Sequence, residues 1–130
     1  MAGDASSYLR NKLLDHSLGT TAYTKPTAVY LAAFVGDPGG AGAEVSAVTH
    51  EEYVRPGVTF AAASDGSAAS NADATFPVAA GDWGIISHLA LLDAQTEGNL
   101  LWYGPMTQSK EIQSGDQLKV ASGNFTASLT

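Results

Sequence analysis

Apolar residues concentrate in one stretch of the chain. From Asp82 to Asp93 the sequence reads DWGIISHLALLD, in which Trp83 to Leu92, apart from Ser87 and His88, is apolar or glycine. Gly81-Asp82 precedes this run and Asp93 with Thr96-Glu97-Gly98-Asn99 follows it, so turn chemistry closes both ends. Its β-branched and aromatic residues, with Gly84 near the start, favour a strand over a helix. Side chains alternate along a strand, so Ile85, Leu89 and Leu91 are expected on one face and Ile86, Ala90 and Leu92 on the other. Both faces are then apolar, which predicts a central strand covered on both sides.

The rest of the pattern divides into one helix and a series of short strands. Ser6 or Ser7 is a suitable N-cap, Tyr8 to Leu18 contains neither proline nor glycine, and Gly19 is a natural stop. Tyr8, Leu9, Leu13, Leu14 and Leu18 recur at helical spacing, and a helix of about three turns must dock on its own domain or on a neighbour to persist. Thr20 to Thr27 reads as a polar linker into a second strong strand, Ala28 to Val35, with Tyr30 and Phe34 on one face. The glycine-rich Gly36 to Gly42 must be loop, and it lacks the spacing of a phosphate cradle. Glu44 to Thr49 reads as a short edge segment, and Tyr53 to Phe60 as an edge strand interrupted at Pro56.

Further on, Val58–Ala62 and Ala72–Phe76 are expected to form a hairpin around Asp65-Gly66-Ser67. Leu100 to Gly104 should pair with the central strand across Gly98-Asn99, followed by strands at Thr107–Ile112, Gln117–Val120 and Asn124–Leu129. In the last two, Leu118, Val120, Phe125, Ala127 and Leu129 should point inward. One helix followed by about eight short strands, with turns every ~8–12 residues, is the pattern of an all-β antiparallel sandwich or jelly roll. The expected organisation is a single domain over 1–130, with a helical segment at 1–19 and the sandwich at 28–130. One core is expected to contain Trp83, Ile85, Leu89, Leu91, Tyr30, Phe34, Leu101, Phe125 and Leu129.

Composition narrows the functional classes. Charged residues make up 15% of the chain, against ~25% in an ordinary domain, which points to a surface partly covered by partners. Thirteen acidic against six basic residues give a net charge of -7, the wrong sign for a phosphate-backbone binder, so no nucleic acid is expected. There is no cysteine, hence no disulfide frame or thiolate metal site. The first residues lack the blocks of a secretion signal, and no apolar run approaches a membrane span, so no membrane partner is expected.

Candidate chemistry is sparse. His16, His50 and His88 have no second ligand at metal spacing, so no metal is expected. Ser87, His88 and Asp93 are the residue types of a triad, but no nucleophile elbow surrounds them, and neighbouring strand residues point to opposite faces. The turn-adjacent aspartates are explained by local backbone hydrogen bonds. Trp83, Trp102 and Tyr103 could offer a sugar-stacking platform, although in strands this apolar they read as core. No catalytic residue and no cofactor follow from these positions.

Several segments in a fixed order carry a resemblance. Asn11-Lys12-Leu13-Leu14-Asp15-His16, Leu18-Gly19-Thr20-Thr21-Ala22 and Val29-Tyr30-Leu31-Ala32 with Phe34 and Asp37-Pro38 open it. Tyr53-Val54-Arg55, Val58-Thr59-Phe60, Thr75-Phe76-Pro77, Asp82-Trp83-Gly84, Gly98-Asn99-Leu100-Leu101 and Ser114-Gly115-Asp116 continue it. Together they resemble a family of small tailed-bacteriophage structural proteins often labelled tail fibre proteins. Thr49-His50-Glu51-Glu52 and Pro56 depart from that pattern at an edge. The resemblance implies a non-enzymatic virion protein, assembled in the host bacterial cytoplasm, whose partners are copies of itself and other virion proteins.

The compact length without a repetitive shaft suits a capsid decoration or cement protein bound to the major capsid protein. The alternatives are a tail or tail-fibre component that touches a receptor, or a carbohydrate-binding module. Candidate assembly contacts are Tyr8, Leu9, Leu13 and Leu14 on the helix, and Tyr53 and Arg55 on the interrupted edge strand.

Overall fold

A computed structural model describes residues 1–129. The chain is all-β with one N-terminal helix. In order, its elements are β1 (Ala2–Ala5), α1 (Ser7–Ser17), β2 (Val29–Val35), β3 (Ala43–Glu44), β4 (Gly57–Val58) and β5 (Ser67–Ala69), then β6 (Ala74–Thr75), β7 (Gly84–Leu92), β8 (Leu100–Ile112), β9 (Lys119–Val120) and β10 (Thr126–Ser128). The main sheet has the order β3-β2-β7-β8-β1-β10-β5, with β4 also on β2, while β6 and β9 form a separate two-stranded ribbon. β1 lies parallel to β10 and antiparallel to β8, so the sheet departs from the wholly antiparallel expectation at one pair.

The sheet turns back on itself. β4 pairs with β2, and the residues after it pair with the β5 strip: Phe60 stands opposite Ser70, Ala61 N–H donates to Ala69 O at 3.0 Å, and Asn71 N–H donates to Thr59 O at 3.0 Å. The path through β7, β8, β1, β10 and β5 therefore returns to β2, giving a sandwich-like body around one principal core. Leu31 and Ala33 of β2 face Leu91 and Leu89 of β7 inside it, together with Ile86, Phe76, Trp83 and Phe125. Tyr53, Phe76 and Trp83 pack as an aromatic group, with ring centroids 5.4 to 6.2 Å apart. Each such side chain contributes about 1.5–3 kcal/mol by leaving water. On the other face of the same strands Ala32, Ala90 and Leu92 are buried beneath Phe34, Leu100 and Tyr103.

The central strand is where expected, but its alternation breaks. Ile86 opposes Lys110 while His88 opposes Pro105, so Ser87 alone faces Met106 to Ser109 on β8. This bulge resets the faces. Ile86 joins Leu89 and Leu91 in the core, and Ile85, expected with them, is 53% exposed beside Glu111.

Other expectations are corrected in the same way. Leu129 lies beyond β10 and is exposed, and Tyr30 and Phe34 belong to the opposite face from Leu31. Leu100 to Gly104 and Thr107 to Ile112 are one long strand, continuous through the bulge. The turn at Asp65-Gly66 forms with both residues at positive φ, 53° and 74°, but its arms are Thr59–Ser64 and Ser67–Asn71. Ala74-Thr75 instead pairs with Lys119-Val120.

β1 has no counterpart among the expected strands. Its sequence, AGDA, carries no apolar alternation. Two glycines make room for it: a Cβ on Gly3 would meet the Phe125 ring at 2.9 Å, and one on Gly104 would strike the carbonyl of Ala2. β1 leads directly into α1, whose N-cap is Ser6. The Ser6 hydroxyl accepts from Leu9 N–H at 3.2 Å and donates to Leu100 O, fixing the helix to the start of β8.

Candidate functional site

The expected assembly residues fall in two places. On α1, Leu9 is 4% exposed and packs with Ala5 and Leu101, while Leu13, Tyr23 and Trp102 close the contact as partly buried neighbours. Tyr8 is half-buried, with Lys12 Nζ 5.7 Å from its ring centroid. The helix thus docks on its own body along Leu9 and Leu13. Leu14, by contrast, is 56% exposed, and Leu18 just past the helix is 76% exposed. The linker folds back on the helix, since Tyr23 N–H donates to His16 Nδ1 at 3.1 Å. Burial raises the Tyr23 phenol above its ordinary value, and Tyr8 and Asp93 nearby add to the shift.

Tyr53 and Arg55 lie at the β2 edge and are both nearly buried. The Arg55 guanidinium forms a fork on Glu44: Nε reaches Oε2 and Nη2 reaches Oε1, both at 2.7 Å. Its remaining reach goes to the β7–β8 turn, where Nη1 donates to Ala94 O at 2.8 Å and to Glu97 O at 2.7 Å. Tyr53 O–H donates to Glu44 Oε2 at 2.6 Å, and its oxygen accepts from Ala33 N–H at 3.1 Å. Burial raises the Tyr53 phenol far above its ordinary value, and the hydrogen bond to Glu44 adds to this. The Glu44 hydrogen bond likewise raises Arg55, against the opposing effect of burial. One planar side chain therefore ties β3, the segment before β4 and the β7–β8 turn together. Beside it runs an open groove of about 470 Å³, lined by Ser46, Ala47, Val54 and Thr96 among others. Glu44 was not among the expected site residues; only its opposite charge to Arg55 could have pointed to it.

A second open cleft, of about 360 Å³, lies where β8 bulges away from β7. Leu89 and Val120 line it, with Thr107, Gln108, Lys110 and Lys119. Lys119 Nζ stands 3.2 Å from Asp73. The Asp73 carboxyl is held below its ordinary value, first by the Ser122 N–H and then by Lys119.

Residues with catalytic potential are committed to the fold. Ser87 and His88, expected on opposite faces, are brought together by the bulge, with Ser87 Oγ 2.8 Å from His88 Nδ1. Ser87 Oγ also accepts from Gly36 N–H at 2.9 Å, which pins the glycine-rich loop. Asp93 does not join them; its carboxylate accepts from the backbone and side chain of Asn99 across the turn. Trp83, Trp102 and Tyr103 do not share a platform. Trp83 is in the core and donates to Glu52 at 2.9 Å, Trp102 packs on the inner clusters, and Tyr103 faces the other way, against Gly39. Among the described residues no group of acidic and histidine side chains has metal-site geometry, and each buried side-chain polar atom has a partner.

The chain is a sandwich-like β body with a docked helix, whose polar side chains lock loops together. A family model described as podophage GP4 fiber I protein gp80 matches residues 4–128, from within β1 to the end of β10, and the chain belongs to this family of phage virion structural proteins. No curated protein matches it.

Proposed function

We propose that the chain is a non-enzymatic subunit of a virion fibre, assembled in the host bacterial cytoplasm, that works by binding copies of itself and other virion proteins. The observation that carries this reading is the family match, which spans all but a few terminal residues and whose description names a fibre. The Arg55 fork supports it, because a buried ion pair that clamps three segments serves rigidity and has no reacting partner. Capsid decoration is the second reading, supported by a compact sheet without a repeating shaft unit. Copy number in purified particles separates the two. A symmetric tail appendage repeats only a few times per particle, whereas a coat of the capsid lattice repeats over the whole shell. Quantitative mass spectrometry against the major capsid protein is expected to give the lower figure, and the higher one would assign the chain to the shell.

A further inference from the structure

We propose that the cleft opened by the bulge in β8 binds a short acidic saccharide, a sugar unit that carries a carboxylate or a phosphate. This does not depend on where in the particle the chain sits. The bulge makes the cleft: Ile86 opposes Lys110 and His88 opposes Pro105, so Met106 to Ser109 stand against Ser87 alone and leave the ladder. Bulges re-aim side chains in this way beside binding sites. Thr107 and Gln108, adjacent in sequence, both line the cleft, which regular alternation along a strand would not permit. Its floor is apolar, with Leu89 and Val120 buried and Met106 partly buried beside them. The volume of about 360 Å³ lies at the lower end of the ~300–1,000 Å³ of small-ligand sites.

The charge of the cleft runs against that of the chain. Thirteen acidic residues outnumber six basic ones, yet Lys110 and Lys119 both line it and no carboxylate does among the described residues. Lys119 meets Asp73 at 3.2 Å with both side chains about half exposed, and Lys110 has no ion-pair partner among the described residues. Two lysines against one aspartate leave a surplus of positive charge, to which the Met1 ammonium adds while it donates to Asn124 O at 2.6 Å. The neutral groups are uncommitted as well. The exposed side chains of Thr107, Gln108 and Asn124 make no hydrogen bond among the described residues, which leaves one hydroxyl and two amides to meet the hydroxyls of a ligand. The groove beside Arg55 differs on this point, because Arg55, Tyr53 and Glu44 are spent on one another there.

The lining also selects the ligand. No aromatic ring lines the cleft, so the stacking surface that would hold a neutral sugar is missing. Selection falls to charge, and a lysine ammonium, a point charge without arginine's fork, takes either a carboxylate or a phosphate. The apolar floor gives the C–H face of a sugar ring a place to rest, which a bare inorganic ion does not use. Three neutral polar groups around two lysines match a ligand dense in hydroxyls better than they match an acidic peptide.

Amide chemical shifts of the purified full chain, followed by nuclear magnetic resonance during titration, test this. The probes are glucuronate, glucose phosphorylated on its primary hydroxyl, methyl glucoside, sodium acetate and triglutamate. At least one acidic sugar is expected to give saturable shifts at Thr107 to Lys110 and at Lys119 and Val120, weaker at high salt, and the preference between the two identifies the acidic group. Methyl glucoside and acetate should give none at matched concentration. Lys110→Gln and Lys119→Gln, both at exposed positions and expected to melt like the parent, should each weaken binding roughly threefold to tenfold, and the double variant should lose saturation. No saturable shift with either acidic sugar, equal shifts with acetate or methyl glucoside, tighter binding of triglutamate, or binding that survives the double substitution would overturn the proposal. None of these results bears on copy number in particles, so the fibre reading stands or falls separately.

Discussion

Arg55 shows most clearly how much depends on one residue. Replacing it by alanine leaves Glu44 without its fork and frees two carbonyls of the β7–β8 turn. The expected cost is on the order of 3 kcal/mol, read from chemical denaturation, because breaking a buried pair strands the partner charge. Arg55→Lys should recover only part of this, since an ammonium cannot span Glu44 and both carbonyls in one plane. Glu52 gives a pH test. Its carboxyl is held below the ordinary 4.5, first by the Ala80 N–H and then by the Trp83 indole. A lowered folded value means that the unfolded chain binds more protons in that range, so stability is present above about 4.5 and is lost as pH falls through the folded value. The melting temperature should therefore drop as pH falls below the ordinary 4.5, and Glu52→Gln should flatten that drop. These roles were not legible in the sequence. Tyr53 and Arg55 stood out as edge residues facing a partner, and nothing in residue spacing reveals that a carboxylate on β3 turns them inward.

At the scale of elements, legibility followed the length of the apolar run. β2, β7 and α1 were visible because their patterns are long, whereas β3, β4, β6 and β9 are two residues each and owe their place to the strands beside them. The bulge at Ser87 was invisible because it is set by Met106 to Ser109 on the partner strand. It makes a contrast that plain alternation does not: Leu89→Ala should cost about 2–5 kcal/mol, while Ile85→Ala should cost well under 1 kcal/mol. Equal losses for the two in thermal melts would mean that the bulge does not turn Ile85 out of the core. β1 leads to a second prediction at this scale. Deleting residues 1 to 19 removes a strand paired on both sides, with β8 and with β10, and uncovers the Leu101 surface under Leu9. The truncated chain should lose its cooperative melting transition, and a cooperative melt close to the parent's would mean that the N-terminal segment is dispensable to the body. Gly104→Ala, which forces a side chain onto the Ala2 carbonyl, should weaken the same interface by roughly 1–3 kcal/mol.

The whole molecule joins a rigid sheet body to a surface that is low in charge and uneven in sign. The segment-by-segment resemblance implies a virion part, low charge and the lack of cysteine are compatible with it, and the family match agrees. Place in the particle was less legible, because one sheet body can serve as a clip on a shell or as a link in an appendage, and the difference lies in what its exposed ends touch. The exposed apolar residues, Leu14, Leu18, Val48 and Val78 among them, come from separate segments and do not form a continuous motif. The most direct test of the proposed fibre role is electron microscopy of intact virions labelled with gold-conjugated antibody against this chain. Gold confined to the fibres that project from the particle is the predicted result; gold spread evenly over the capsid shell, with the fibres bare, would contradict it.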